Sequence, residues 1–346
     1  MPRRVTIKDV AKEADVSFKT VSNVLNGTGS MRPETRDRVL AVIDKMGYSV
    51  NVSARSLKTG ESKLIGLAVF DFLQPFAPYF ADKIIEFARE RGYGVIISTY
   101  RSGGAGIPSI IAETHRLGAD GWIFFSDIAL RDEAAILRQP YPVVLASDYL
   151  AYGKADTVTM PNATAMRDTV GRLLDSGCRE IALVGAPLDR DWDAVLSADQ
   201  GTQQLRIQGY VQAFEERGLA VDWSQVFSTF PLNSPEGVHV ARMLLEREQL
   251  PDAVICLDDA LAFGVMSGLQ SRGVNVPGDV QVVGFDNVPE AEFSTPTLTT
   301  IDPHIEIYAR RAVDMLIERL EGYDGPARTY TTDYTLIERG STRLGE

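Results

Sequence analysis

The chain has 346 residues, 45% hydrophobic and 24% charged, which suits a globular protein with two or three cored domains. No run of about 18 apolar residues occurs, so no membrane helix is expected, and the charged start MPRRVTIKDVAKEADV lacks the apolar centre of an export signal, which implies a cytoplasmic protein. The net charge of −12 is uneven: residues 1–60 carry 11 Lys+Arg against 6 Asp+Glu, and the other 286 carry 24 against 41. That excludes polyanion binding by the acidic body and confines it to the basic head.

The head reads as three helices. Thr6 and Asp9 in TIKD form a capping box for the first, whose apolar face is Ile7, Val10, Ala11 and Ala14. A turn at Ala14-Asp15-Val16 leads to Ser17, an N-cap for a second helix that turns Val21, Val24 and Leu25 inward. A third runs from about Pro33 to Met46 and stops at Gly47. This is a helix-turn-helix pattern, in which the second helix enters the major groove. Phe18, Lys19, Ser22 and Asn23 are the outward side chains there. Lysine donates to guanine, asparagine pairs with adenine, and an aromatic ring packs on the thymine methyl. Thr6, Ser17, Thr20, Arg32, Thr35 and Arg36 read as phosphate contacts or caps. A solvated polar face used for protein contact is the alternative.

Next comes NVSARSLKTG, residues 51–60, a basic segment too short to stand alone as a helix in water. Beyond Ser62, apolar runs alternate with amphipathic stretches. LIGLAVF, YGVIISTY, GWIFF and PVVLAS form one series of buried strands, and EIALVG, VFSTF, AVICL and VQVVGF a second, with helices near 162–176, 201–218, 235–250 and 259–272. Two such series imply two doubly wound lobes of parallel sheet. Ligands bind such sheets at the carboxyl ends of the strands, so a cleft between the lobes is the expected small-molecule site. Asp71, Arg101, Ser126, Asp127, Ser147, Asp148, Asp259 and Asp286 follow the strands, and Arg206 opens a helix. Phe72, Phe76, Tyr79, Phe80, Trp192 and Phe230 lie close by in the sequence. Carboxylates, one guanidinium fork and flat aromatic faces suit a polyhydroxylated ligand. Singly, each loop aspartate is equally a cap or turn residue, and each aromatic a core residue.

VTIKDVAKEADVSFKTVSNVLNG, TRDRVLAVIDKMGYSVNVSARSLKTGESKLIGLAV, GCREIALVG, RIQGYVQAFEERGL, VQVVGFDN, TPTLTTI and LIERGSTR occur in this order. Together they resemble the LacI/GalR (lactose- and purine-repressor) family of bacterial transcription regulators across nearly the whole chain. The resemblance implies a small all-α helix-turn-helix head at 1–50, a hinge at 51–61, and a two-lobed α/β body at 62–346 like a periplasmic sugar-binding protein. The first lobe would hold 62–160 plus 291–322, and the second 161–290 plus 323–346. In the hinge, Ser53 and Ala54 would allow two copies to meet in the minor groove, Arg55 and Lys58 would reach phosphates, and Leu57 would wedge a base step. Ligand contact is implied for Tyr79, Phe80, Asp148, Arg206, Phe230, Asp259 and Asp286, beside Asp71, Arg101 and Ser126 from the strand ends. YRSGGAGIPS and GAPLDRDWDAVLSADQGTQQ, at the expected cleft rim, depart from the family pattern.

No enzyme is expected. The three histidines, His115, His239 and His304, stand in separate predicted helices without metal-ligand spacing, and no nucleophile elbow or phosphate loop occurs. Cys178 and Cys256 read as buried thiols in a reducing compartment. No cofactor is expected. The expected partners are double-stranded operator DNA, a sugar-like effector and a second copy of the chain, since no leucine heptad follows Arg339 to build a tetramer. A purine- or nucleoside-responsive co-repressor is the alternative within the family. A solute-binding protein or enzyme with an incidental head is the alternative outside it.

Overall fold

The computed structural model describes residues 5–26, 28–48, 60–100, 107–126, 128–131 and 134–344. The chain divides into two compact units, Met1–Ser62 and Lys63–Glu346.

In the first unit, α1 (Ile7–Glu13), α2 (Phe18–Asn26) and α3 (Pro33–Met46) pack around Val10, Ala14, Val21, Val24 and Val39. The capping box is formed: Thr6 N–H donates to Asp9 Oδ2 at 2.9 Å, and Asp9 N–H donates to Thr6 Oγ1 at 3.4 Å. Asp15 makes the turn with a left-handed φ of 50°. Ser17 Oγ accepts from Thr20 N–H at 3.1 Å, which satisfies an orphan donor of α2. Gly47, at φ 60°, closes α3 in the conformation that costs glycine least.

The second unit holds two six-stranded sheets. The first contains β1 (Leu64–Val69), β2 (Gly94–Thr99), β3 (Gly121–Phe125), β4 (Val143–Ala146), β5 (Asp156–Thr159) and β11 (Thr329–Thr331), in the order β11-β5-β4-β3-β1-β2. The second contains β6 (Ile181–Ala186), β7 (Val226–Ser228), β8 (Ala253–Cys256), β9 (Gln281–Phe285), β10 (Thr299–Asp302) and β12 (Thr335–Ile337), in the order β12-β10-β9-β8-β6-β7. The two orders are the same pattern repeated. Helices α4 (Phe76–Glu90), α5 (Ile107–Leu117), α6 (Asn162–Asp175), α7 (Trp192–Ser197), α8 (Thr202–Glu215), α9 (Ser234–Leu245), α10 (Asp259–Gln270) and α11 (Ile305–Leu320) complete the unit. Strands such as β6, IALVGA, are buried along their whole length, as a parallel sheet covered on both faces requires. Gly66 in β1 is needed for close approach, since a Cβ there would lie 2.1 Å from the Trp122 indole.

The chain passes between lobes three times, and the later two passages come after the expected positions of 290 and 323. Residues 299–302 form β10, which pairs in parallel with β9 (Thr299 with Val283), so the chain leaves the second lobe only after Asp302. Helix α11 packs on α4, β3, β4 and β5, within the first lobe. Then β11 pairs in parallel with β5 before the chain returns, and β12 pairs antiparallel with β10. Short strands rich in threonine, such as TYT and TLI, carry no apolar run to mark them. Their places are set by hydrogen bonds to neighbouring strands rather than by local pattern.

Candidate functional site

On the head, the N-terminal end of α2 presents Phe18, 45% exposed, and Lys19, also exposed, with Ser22 and Asn23 half-buried beside them. Arg32 and Arg36 are exposed at the start of α3, with Thr35 half-buried between them. The Thr6 and Ser17 hydroxyls are engaged in caps, and Ser17 Oγ also lies 2.9 Å from Thr20 Oγ1. Ser53, Ala54, Arg55, Leu57 and Lys58 lie outside the described residues, as do Arg101 and Asp127.

Within the second unit, a cavity of about 300 Å³ opens where the carboxyl ends of the two sheets meet. Asp71, Ser126, Asp148, Arg206, Phe230 and Asp286 all line it. Tyr79, Phe80 and Asp259 do not. Phe80 is fully buried in the first lobe, its ring 5.4 Å from those of Phe125 and Tyr308. Tyr79 lies one residue round α4, half-buried near Lys83. Trp192 stacks on Trp223 at 4.5 Å, also away from the cavity.

Arg206 is the centre of the second-lobe wall. It sits in the first turns of α8 and is 4% exposed. Its Nε donates to Asn162 Oδ1 at 2.8 Å, one terminal nitrogen donates to the Leu257 carbonyl, and the other lies 3.8 Å from Asp286 Oδ1. Its plane covers the Phe285 ring at 3.4 Å from the centroid. Burial presses the guanidinium pKa down, while carboxylates, Asp286 first, hold it up. The guanidinium stays charged, because its intrinsic basicity far exceeds neutral pH.

Asp286 follows β9 with φ 121°, a conformation that L side chains rarely adopt. Strain of this kind persists where the surroundings over-determine it, commonly at ligand sites. Burial raises the Asp286 pKa well above the usual carboxylate range; Arg206 opposes the shift, while Asp259, Asp258 and Asp148 add to it. Asp258 caps α10 through Leu261 N–H at 2.7 Å, and burial lifts its pKa to about 6. Asp259 is wholly buried beneath the wall. Its two oxygens accept from Val288 N–H at 2.9 Å and the Thr300 hydroxyl at 2.5 Å, tying the loop after β9 to β10. Burial pushes its pKa up to about 8. A Cβ at Gly284 would come within 2.1 Å of Asp259 Oδ1, so only glycine leaves it room.

Asp148 joins the lobes. It ends the β4 region, and its Oδ1 accepts from Thr159 Oγ1 at 2.8 Å and Met160 N–H at 3.2 Å. Its Oδ2 accepts from Thr202 Oγ1 of the second lobe at 2.7 Å, and its carbonyl accepts from Gly201 N–H at 2.8 Å. Beside Asp71, Ser126 and Ser147, the first-lobe wall carries a cluster of aromatic rings. Phe70 and Phe76 lie 5.2 and 5.1 Å from Phe125, and Tyr308 of α11 completes that side.

Sequence reasoning placed Ser147 and Phe76 near the strand ends, and both line the cavity. It passed over Phe70, Thr202, Gln203 and Tyr308 as site residues. Thr202 and Gln203 lie in the polar stretch expected at the rim. Tyr308 has no local signal, because only the crossover after β10 brings α11 against the first lobe.

Residues 6–51 match the family model described as bacterial regulatory proteins, lacI family, and residues 170–342 match the periplasmic binding protein-like domain. The repressor CytR of Escherichia coli K12 is 31% identical over 341 residues, covering 98% of this chain and 96% of CytR. The crystal structure of a LacI-type transcription regulator from Bifidobacterium animalis subsp. lactis is 54% identical, with a TM-score of 0.78, over 81% of this chain and 99% of that one. The complex of the transcriptional regulator CelR with cellobiose is 25% identical, with a TM-score of 0.67, over 98% of this chain and the whole of that one.

Proposed function

Because this chain belongs to the LacI family of bacterial transcriptional regulators, a family of DNA-binding repressors rather than enzymes, we propose that it is a cytoplasmic homodimer that represses from a pseudo-palindromic operator. A sugar or sugar derivative in the interlobe cavity sets its affinity for DNA. The observation that carries this reading is the cavity, where buried carboxylates and one guanidinium face an aromatic wall at the ends of both sheets. Hydroxyl groups match the former and a sugar's C–H face the latter. The cellobiose complex of CelR supports the sugar class.

In this reading Phe18, Lys19, Ser22 and Asn23 read base edges, while Thr20, Arg32, Thr35 and Arg36 hold phosphates. The segment 51–61 is the hinge, with Leu57 as its minor-groove wedge. Two heads on two half-sites match the two-fold symmetry of the operator. An exposed apolar patch on the second lobe supports the dimer: Phe293 is 81% exposed and forms a shallow groove with Phe263 and Pro289. The effector acts only through its different affinities for two arrangements of the lobes, and Asp148, bonded to both lobes, is placed to report between them. The stacked phenylalanines also favour a second reading, a nucleoside acting as co-repressor.

Footprinting on the region upstream of its own gene, with and without candidate ligands, tests the proposal. Protection of a two-fold-symmetric site that a sugar weakens is the expected result, with the sugar recovered unchanged. Ligand turnover without sequence-preferring protection would overturn it, and protection strengthened by a nucleoside would establish the second reading.

A further inference from the structure

We propose that Gly29, in the loop between α2 and α3, is a positioning residue for DNA sequence recognition. Because it has no side chain, the loop lies against the Asn23 amide and holds that amide for an adenine edge. This rests on the reading of α2 as the helix whose Asn23 meets base edges.

The loop grips Asn23 in two places. Thr28 N–H donates to the Asn23 carbonyl at 3.0 Å, the kind of backward bond by which a chain folds over the last turn of a helix. Gly29 follows with φ 83°, and this left-handed residue turns the backbone toward the Asn23 side chain. A Cβ on Gly29 would lie 2.8 Å from Asn23 Nδ2, 3.4 Å from its Cγ and 3.7 Å from its Cβ. Asn23 is accordingly half-buried, although it is a polar residue near the end of α2. Gly47 is a useful contrast within the head. It too is left-handed, at φ 60°, but a Cβ there would meet nothing within 4 Å. Backbone conformation alone accounts for Gly47. At Gly29 the missing side chain also leaves the space that the Asn23 amide fills.

That contact bears on recognition through the amide plane. Pairing with adenine uses the asparagine oxygen and nitrogen together, so the amide must lie in the plane of the base. The last torsion of asparagine is broad and roughly two-fold, and an unrestrained amide pays to be ordered when it binds. Contact with Gly29 removes part of that freedom before DNA arrives. A side chain at position 29 would displace the amide rather than the loop, because the amide is the free end of a short side chain while the Thr28 bond fixes the backbone. The loss then falls on one base pair of each half-site. Phosphate contacts, which carry no sequence information, are left as they were.

The test uses the full-length protein and a library of two-fold-symmetric duplexes with randomised half-sites, from which base preference is measured position by position. Gly29→Ala adds a Cβ and strains the backbone. Gly29→Asn adds a Cβ with less strain, since asparagine tolerates the left-handed region better. We expect the unaltered protein to favour adenine at one position of each half-site by about tenfold or more, and Asn23→Ala to erase that preference. Both Gly29 variants should cut it below about threefold and keep the preferences at every other position. In an Asn23→Ala background, Gly29→Ala should change no preference. Full adenine preference in Gly29→Asn would show that only the backbone conformation matters and overturn the proposal. So would an equal loss at all positions, or a Gly29 effect that persists without Asn23. Failure of the underlying reading looks different: Asn23→Ala itself leaves every base preference unchanged.

Discussion

Asp156 and Asp286 are both buried aspartates in lobes of the same strand order, and they are treated in opposite ways. Asp156 opens β5, at the end of the first sheet away from the cavity. It accepts from Arg319 Nε and Nη2, from Arg328 Nη2 and from Arg328 N–H, all between 2.8 and 3.0 Å. Burial alone would raise its pKa, but those hydrogen bonds outweigh it and the net shift is downward. Asp286 follows β9 at the cavity end of the second sheet, 3.8 Å from its cation, with a strained φ and a raised pKa. A carboxylate built to hold a fold is saturated by its neighbours. Asp286, the carboxylate that the proposed reading gives to a ligand, is left under-coordinated, and the fold bears the cost.

The sharpest way to break this comparison is Asp156→Ala. It strands two guanidiniums that also hold the loop before β11, since Arg319 donates to the carbonyls of Gly325 and Pro326. We expect a loss of about 3–5 kcal/mol in urea unfolding of the full chain, with effector affinity retained in the folded fraction. Asp286→Gly should do the reverse. Relief of the left-handed backbone is worth on the order of 1 kcal/mol, seen as a higher melting temperature, while ligand binding is lost. A variant that loses stability and keeps its ligand would end the contrast.

The pH dependence should also carry opposite signs. The folded-state pKa of Asp156 is depressed, so its stabilisation is present above the unfolded value near 3.8 and disappears as pH falls through the folded one. Asp258 and Asp259 are raised to about 6 and about 8. The folded protein holds their protons where the unfolded chain releases them, so stability declines as pH rises from about 4 through 8. The charged groups facing Asp259 include Asp258, Asp286, Arg206 and Arg339. Asp259→Asn should flatten the decline on the alkaline side and leave the acid limb in place, as followed by unfolding midpoints from pH 4 to 9. The smallest effect belongs to exposed pairs. Asp175→Ala, which frees Arg217 from a 2.7 Å contact at the surface of the second lobe, should leave the unfolding midpoint almost unchanged, because exposed ion pairs contribute little.

Much of this was legible in the chain. The capping box at Thr6, the Ser17 cap and the Gly47 stop are local devices, and they stand where the residues put them. Buried strands such as LIGLAV and IALVGA announce themselves by uninterrupted apolar runs. The site was less legible. Asp259 follows a strand, and the family resemblance implied ligand contact for both Asp259 and Phe80, yet both are buried in packed interior. Which of two adjacent aspartates faces a cavity depends on where the helix begins. Asp258 takes the N-cap with its side chain at the wall, and Asp259 turns inward beneath it.

Residue pattern alone was enough for the head, the parallel lobes and the contrast between a basic head and an acidic body, because capping, periodicity and composition act over a few residues. Tertiary structure decided the rest. It sent β10 to the second sheet and β11 to the first, brought Tyr308 to the cavity, and closed four donors on Asp156. The β11 pairing and the Asp156 cluster join residues more than a hundred positions apart, and no local pattern encodes which partner a short polar strand or a buried carboxylate will meet.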